Sequence, residues 1–441
     1  MTNRIFVLLL VTAVALLLMN LEFGQYKENS PVFILGIILL VAYCFGYLLE
    51  KIGLPRIVGY ILAGLFMGPF FLNIYTFSEI KDLNFVNKLV LAFIAFCAGG
   101  ELRVANIRRV LKSIIYLISG ISFVVFLGIT LTVFVLSSSM PFMSHLSIPI
   151  RLAISAIFGT IAVARSPSSA IAIISETKAK GPYTDIVLSV SVAMDVFIII
   201  LFAVTISFAQ VLMSGNGGMN LLFLFSLLVE IAAAFLLGFL LGKFIVFLIE
   251  KVHVEFSIVI IAMGFVVIEF SHLLGLYLSE VHDIGLELEP LLICMAAGFV
   301  VQNFSKHGEN FLQRMDRVSL PIYIAFFALT GAGIDLNVLR TGWLLGLTIF
   351  LVRLASIYIG SYLSGRIAKS EPKIYKNVWL GFITQAGVSL GLLAEVSRRL
   401  PDIGLSIQTI LVASIIMNQL FGPIAFKFGL KKVGETNVLR R

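Results

Sequence analysis

The sequence predicts an all-α membrane protein of about fourteen transmembrane helices, built as an inverted-topology repeat with two crossed, discontinuous helices. Three observations carry this expectation. The 441 residues are 59% hydrophobic and 13% charged, with a mean hydropathy of +1.06, a composition that excludes a soluble domain. Apolar runs on the order of 20 residues, the length that crosses a bilayer, recur along the whole chain. Two of these runs, far apart in sequence, are interrupted by polar residues at corresponding places.

In chain order the runs cover residues 4–20, 32–50, 56–74, 86–104, 113–138, 148–177, 183–213, 219–248, 255–275, 288–303, 317–335, 342–366, 375–398 and 405–428. The first follows Arg4 and also fits a secretory signal, but no small-x-small cleavage site follows it, so an uncleaved helix is expected. With the N-terminus inside, most of the 32 Lys and Arg residues fall in loops on the cytoplasmic side. Both termini are therefore expected in the cytoplasm. The net charge of +8 reports this topology and not a nucleic-acid surface, since no basic patch interleaved with aromatics is present. Cys44, Cys97 and Cys294 each sit inside an apolar run and read as small packing residues. No zinc-ligand spacing, nucleophile elbow or Walker sequence occurs, so neither an enzyme nor a cofactor is expected.

Setting aside the extra N-terminal helix (1–31), six spans in 32–213 and six in 255–428 flank a linking helix in 214–254. A short cytoplasmic tail, 429–441, follows, with no regulatory domain expected beyond it. The fifth span of each set is broken, by Arg165-Ser166-Pro167-Ser168-Ser169 in the first and Thr384-Gln385-Ala386-Gly387 in the second. Such breaks unpair backbone groups, which membranes tolerate only beside protein or a watery cavity. The next span carries a lone carboxylate, Asp195, near its middle. An ionisable group at that depth marks a functional site by default. Broken helices crossing beside a buried acid describe the centre of a secondary transporter.

These residues resemble the monovalent cation:proton antiporter superfamily, and its bacterial sodium/hydrogen-exchanger members in particular. The resemblance covers nearly all of the chain after the first helix. It rests on Gly53-Leu54-Pro55-Arg56-Ile57-Val58-Gly59-Tyr60-Ile61-Leu62-Ala63-Gly64 with Gly68-Pro69, on Arg165-Ser166-Pro167, on Met194-Asp195, on Arg353, and on Thr384-Gln385-Ala386-Gly387-Val388-Ser389-Leu390-Gly391. It implies Na+, K+ or Li+ exchanged for H+, a homodimer in a bacterial inner membrane, and a core domain that moves against a dimerisation domain. Two departures stand out. The family's Asp-Asp, Asn-Asp or Gln-Asp pair is Met194-Asp195 here, and its frequent Thr-Asp-Pro is Arg165-Ser166-Pro167.

Asp195 is the expected carrier, because a desolvated carboxylate holds either a proton or a metal cation but not both. Thr160, Ser166 and Ser191, with the opened backbone at Pro167, Thr384, Gln385 and Gly387, are candidate oxygen donors, since alkali cations prefer oxygen. Arg353, where the family places Lys or Arg, keeps its charge and releases no proton; Met194 cannot ionise. One proton per cation, an electroneutral exchange, is therefore expected, while Arg353 as a compensator of half-helix dipoles is an equally open reading. Arg165 has three readings: a partner of Asp195 in the empty site, a partner of Glu230 or Glu269 in the scaffold, or, with Arg353, part of an anion-attracting site. Glu230 and Glu269 are expected in buried ion pairs, and Glu101 and Glu395 at helix ends reaching solvent. The motifs Gly64-x-x-x-Gly68 and Gly238-x-x-x-Gly242 permit close helix contact. Two rival functions stay in view: transport of an anionic substrate through Arg165 and Arg353, and a non-transporting sensor or partner subunit.

Overall fold

The computed structural model describes residues 31–214, 221–252, 256–282, 288–306, 308–385 and 387–436. The first apolar run, residues 4–20, lies outside them. The longer helices are α1 (Pro31–Lys51), α2 (Arg56–Met67), α3 (Asn84–Glu101), α4 (Val104–Leu136), α5 (Ile148–Val163), α6 (Pro167–Thr177), α7 (Pro182–Ser214), α8 (Leu221–Phe247), α9 (Phe256–His282), α10 (Pro290–Phe304), α11 (Gly308–Ala332), α12 (Leu336–Ile367), α13 (Gly387–Arg399) and α14 (Pro401–Val433). Among the described residues eight segments are long and apolar enough to cross a membrane, and α2, α10 and part of α13 are shorter apolar helices.

The two expected breaks are present. Residues 148–177 form two half-helices, α5 and α6, separated by Ala164-Arg165-Ser166. In the second set a 3-10 turn, Val378–Phe382, precedes the opening before α13. Several boundaries differ from expectation: α4 begins at Val104 and not near 113, and α9 runs on to His282 and not to about 275. α2 stops at Met67 and not near 74, because Gly68 turns its N–H back to Leu65 O and Pro69 has no N–H to continue the ladder. α11 begins at Gly308 and not near 317. Its first turns are amphipathic, with Phe311 and Met315 buried while Glu309 and Arg317 are exposed. An apolar run cannot reveal such a start.

The helices pack as two bundles. In the core bundle α4 lies against α5, α7 and α12, and α14 against α12 and α13. In the scaffold bundle α2 lies against α1 and α11, while α10 lies against α3 and α8, with α9 beside α3. Glycines set the scaffold spacing. A Cβ on Gly64 would strike Ala328 O and one on Gly331 would strike Ile61 O, so α2 and α11 touch backbone to backbone. Gly99 and Gly298 do the same for α3 and α10, against Met295 O and Phe96 O. Gly238 and Gly242 of α8 seat Ala296 and Val300 of α10. These small-residue motifs are therefore used within the chain; Gly68, by contrast, ends its helix. Phe123, Leu131, Val135, Leu236, Leu240 and Leu273 are exposed on the outer faces, as lipid contact requires.

Candidate functional site

The two breaks meet. Ser166 N–H donates to Thr384 O at 3.1 Å, and Gln385 Nε2 donates to Ile161 O at 3.0 Å, so each opened strand satisfies part of the other. Ser166 is the N-cap of α6, its Oγ accepting from Ser169 N–H at 3.3 Å, and Pro167 supplies a first residue that needs no acceptor.

The end of α5 leaves unpaired carbonyls, the negative pole of a half-helix. Arg353 of α12, fully buried, answers them. Its Nε donates to Ala162 O at 2.7 Å and its Nη2 to Ala164 O at 3.0 Å. Nη1 reaches Ile383 O at 2.6 Å and Asn418 Oδ1 at 2.8 Å. Asn418 passes the connection on, donating to Gln385 Oε1 at 2.9 Å. The fork geometry of a guanidinium suits this set of acceptors, where the single ammonium of a lysine would not.

Arg165 is also buried, but differently. Nη1 donates to Phe382 O at 2.7 Å and the guanidinium lies 4.7 Å from the Phe382 ring centre. Its Nε and Nη2 have no hydrogen-bond partner. The ion pairs expected with Asp195, or with Glu230 or Glu269, are thus not formed. A backbone carbonyl and an aromatic face take their place.

Asp195 lies on α7, and its Oδ1 is buried without a hydrogen-bond partner. It lines a cavity of about 520 Å³ between the bundles, together with Arg165, Ser166 and Pro167 of the crossover. Three more carboxylates line the same cavity: Glu230 from α8, Glu289 at the start of α10 and Glu395 from α13. Among the described residues no three His, Cys, Asp or Glu side chains converge closely enough to hold a resident metal. The four carboxylates line one cavity without forming a cage.

Of the candidate oxygen donors, Ser166 lines the cavity and Thr160 and Ser191 do not. Thr160 is buried against Thr205, oxygen to oxygen at 2.9 Å. Ser191, one turn before Asp195, is enclosed. Met194 points into the core, where Ser122 Oγ donates to its sulfur at 3.3 Å. Glu269 and His272 are exposed on α9, away from the cavity. Glu395, expected at a solvent-facing helix end, and Glu289 both line it. Sequence reasoning missed Glu289 and Asn418. Glu289 is the N-cap before Pro290, its carboxylate accepting from Leu291 N–H at 3.4 Å, a capping pattern legible in the sequence. Asn418 is an amide inside a long apolar run, the same signal that exposed Asp195, only uncharged.

The sequence matches the family described as sodium/hydrogen exchanger, transmembrane, over residues 34–431. The chain belongs to the sodium/hydrogen exchanger family. It is thus a membrane transporter of the cation:proton exchange class and not an enzyme. Two relatives share this exchanger's length. A probable Na(+)/H(+) antiporter 3 of Methanocaldococcus jannaschii is 24% identical over 409 residues, covering 90% of this chain and 96% of the relative. A Na(+)/H(+) antiporter of Enterococcus hirae is 22% identical, covering 91% and 98%. The fold is that of the solved sodium proton antiporter MjNhaP1 of M. jannaschii. Its electron-microscopy structure aligns with a TM-score of 0.73 at 18% identity, covering 94% of this exchanger and 99% of that chain. The structure at pH 8 aligns with a TM-score of 0.62 at 21% identity, covering 92% and 95%.

Proposed function

We propose that this exchanger carries Na+ or K+ against one proton, electroneutrally, by alternating exposure of Asp195 to the two sides of the membrane. The observation that carries the reading is the unpartnered, buried Asp195 Oδ1 beside the crossover, in a cavity whose other ionisable walls are largely acidic. A carboxylate so placed takes a proton or a dehydrating cation, and each excludes the other. Ser166 and the opened backbone supply further oxygens. Arg353 is fully engaged by carbonyls and Asn418, which supports a role in holding the crossover and leaves Asp195 as the carrier.

The Lys and Arg distribution supports a cavity that opens outward in this state, with both ends of the chain in the cytoplasm of a bacterial cell and the inner membrane as its location. A homodimer is part of the reading. Exposed Glu269 and His272, on an otherwise lipid-like face of α9, support a surface covered by another chain. The anionic-substrate alternative retains one supporting observation, the two unpartnered donors of Arg165. Against it stand the three glutamates on the same cavity.

The deciding experiment is proton flux in proteoliposomes with a trapped pH dye, driven by sodium or potassium pulses, with and without a clamped membrane potential. Cation-driven flux that ignores the potential and is lost in Asp195→Asn is the expected result. Flux steered by the potential would add a second carrier. Flux driven by anions would replace the reading altogether.

A further inference from the structure

The cavity opens at one end of the bundle interface, and the opposite end is closed by a specific polar contact. Glu176, in the last turn of α6, lies nine residues beyond Pro167, on the order of 14 Å along the helix from the crossover. Its Oε1 pairs with Lys427 Nζ of α14 at 3.0 Å, the two side chains being 9% and 8% exposed. α6 lies against α7 and α14, so both residues belong to the core bundle. Together they grip the scaffold at two adjacent points: Glu176 Oε2 accepts from the backbone N–H of Arg56 at 2.9 Å, and Lys427 Nζ donates to Leu54 O at 3.0 Å.

The grip is electrostatically apt. Arg56 is the first residue of α2, whose N-cap, Pro55, offers no side-chain cap. The α2 N-terminus presents an unpaired N–H and a partial positive charge, and a carboxylate from the other bundle satisfies both. The Arg56 guanidinium is paired within the scaffold by Glu50 at 2.7 Å, and its hydrogen bond to Glu176 comes from the backbone N–H. A third bridge stands beside it, Ser175 Oγ donating to Asp316 Oδ1 at 3.4 Å. None of these residues lines the cavity.

We propose that Glu176 and Lys427 form the gate of the closed side, a core ion pair that must release Leu54 and Arg56 each time the site opens there. The inference rests on alternating access as the exchange mechanism. The ion pair stays intact while the core moves, because both partners travel together. The two contacts to the Leu54-Pro55-Arg56 backbone break, with the Ser175–Asp316 bridge beside them, and their combined strength sets the balance between the two access states. Glu176 and Lys427 are thus positioning residues of the transport cycle, acting on Asp195 only through the conformational equilibrium.

The test separates the pair from its grip. In Glu176→Lys/Lys427→Glu the ion pair survives, but the lysine offers Arg56 N–H no acceptor and the glutamate offers Leu54 O no donor. Glu176→Met/Lys427→Met removes pair and grip together without stranding a buried charge. Apparent affinity scales with the fraction of protein that is binding-competent, and two lost hydrogen bonds to charged groups shift that fraction by about tenfold or more. The sodium concentration for half-maximal flux from the closed side should therefore fall about tenfold in both double variants, with no such fall from the open side. A second readout needs no flux. Gly391 lines the cavity and a Cβ there meets nothing within 4 Å. With Cys44, Cys97 and Cys294 replaced by alanine, Gly391→Cys should react with a membrane-impermeant maleimide more slowly once the gate is weakened. Folded double variants with wild-type affinity at both faces and unchanged labelling would overturn the gate. Absence of cation-driven flux in the wild type would instead sink the exchange reading, and labelling alone would then decide whether the grip holds this state.

Discussion

Arg353 Nη1 and Asn418 Oδ1 meet at 2.8 Å in the buried centre of the core bundle, and through that contact α12, α14 and both helix breaks become one unit. Removing the guanidinium orphans Ala162 O, Ala164 O and Ile383 O as well as the amide. Each unsatisfied buried acceptor costs about 1–3 kcal/mol, so Arg353→Met should destabilise the protein by at least ~3 kcal/mol in detergent. Arg353→Lys keeps the charge but not the fork and should fall between the two. Thermal unfolding of the purified variants checks the order; equal stability of Lys and Met variants would mean that geometry is irrelevant here.

Backbone contact between α3 and α10 makes a second prediction. Gly99 and Gly298 each face a carbonyl of the other helix, with no flexible side chain to yield. Gly99→Val and Gly298→Val should each cost on the order of 1–3 kcal/mol by overpacking. Gly36, with nothing within 4 Å of a built Cβ, is the internal control. Gly36→Ala should be neutral or stabilising by up to ~1 kcal/mol, since alanine is the better helix former.

What was legible in the sequence follows from the solvent. In lipid every polar interruption is costly, so Asp195 and the two breaks stand out from the apolar runs around them, and they converge on one site. What stayed hidden is the direction in which a side chain points. α7 is apolar on nearly all sides, so no periodicity tells which oxygen reaches the cavity; Ser191 and Thr160, plausible by spacing, are enclosed by neighbours. The four acceptors of Arg353 are mostly backbone carbonyls, which carry no sequence signature. Glu395 was legible as a residue but not as a wall of the cavity, because its placement depends on how α13 meets a scaffold encoded some three hundred residues earlier. The early start of α11 was lost because its amphipathic turns lie outside the apolar run that announces the span.

The helix that bears Asp195 is held at its other end by the chain's tail. The Glu435 carboxylate accepts from Tyr183 N–H at 2.8 Å, Thr184 N–H at 2.8 Å and Thr184 Oγ1 at 2.7 Å. It caps α7 from outside the helix, where a negative charge also meets the positive pole. Glu435→Ala should cost about 1–2 kcal/mol and raise amide exchange in the first turn of α7, read by hydrogen–deuterium exchange. Glu435→Asp, with a shorter reach, should recover part of the protection. Unchanged exchange in the alanine variant would show that the contact adds nothing to the start of α7.

The acidic walls around Asp195 make the last prediction, and it separates attraction from binding. Glu289 is exposed at the cavity mouth, so its charge acts on an arriving cation over a distance that salt can screen. Glu289→Gln should raise the half-saturating cation concentration from the cavity side roughly two- to fivefold at low ionic strength and hardly at all when an inert salt brings the Debye length to about 3 Å. The maximal rate should not change, because the charge contributes before the cation reaches Asp195. Asp195→Asn, in contrast, removes the group that proton and cation share, and no salt concentration should restore its flux. A Glu289→Gln effect that persists in high salt, or that lowers the maximal rate, would place this carboxylate among the cation's direct ligands and make the mouth part of the binding site.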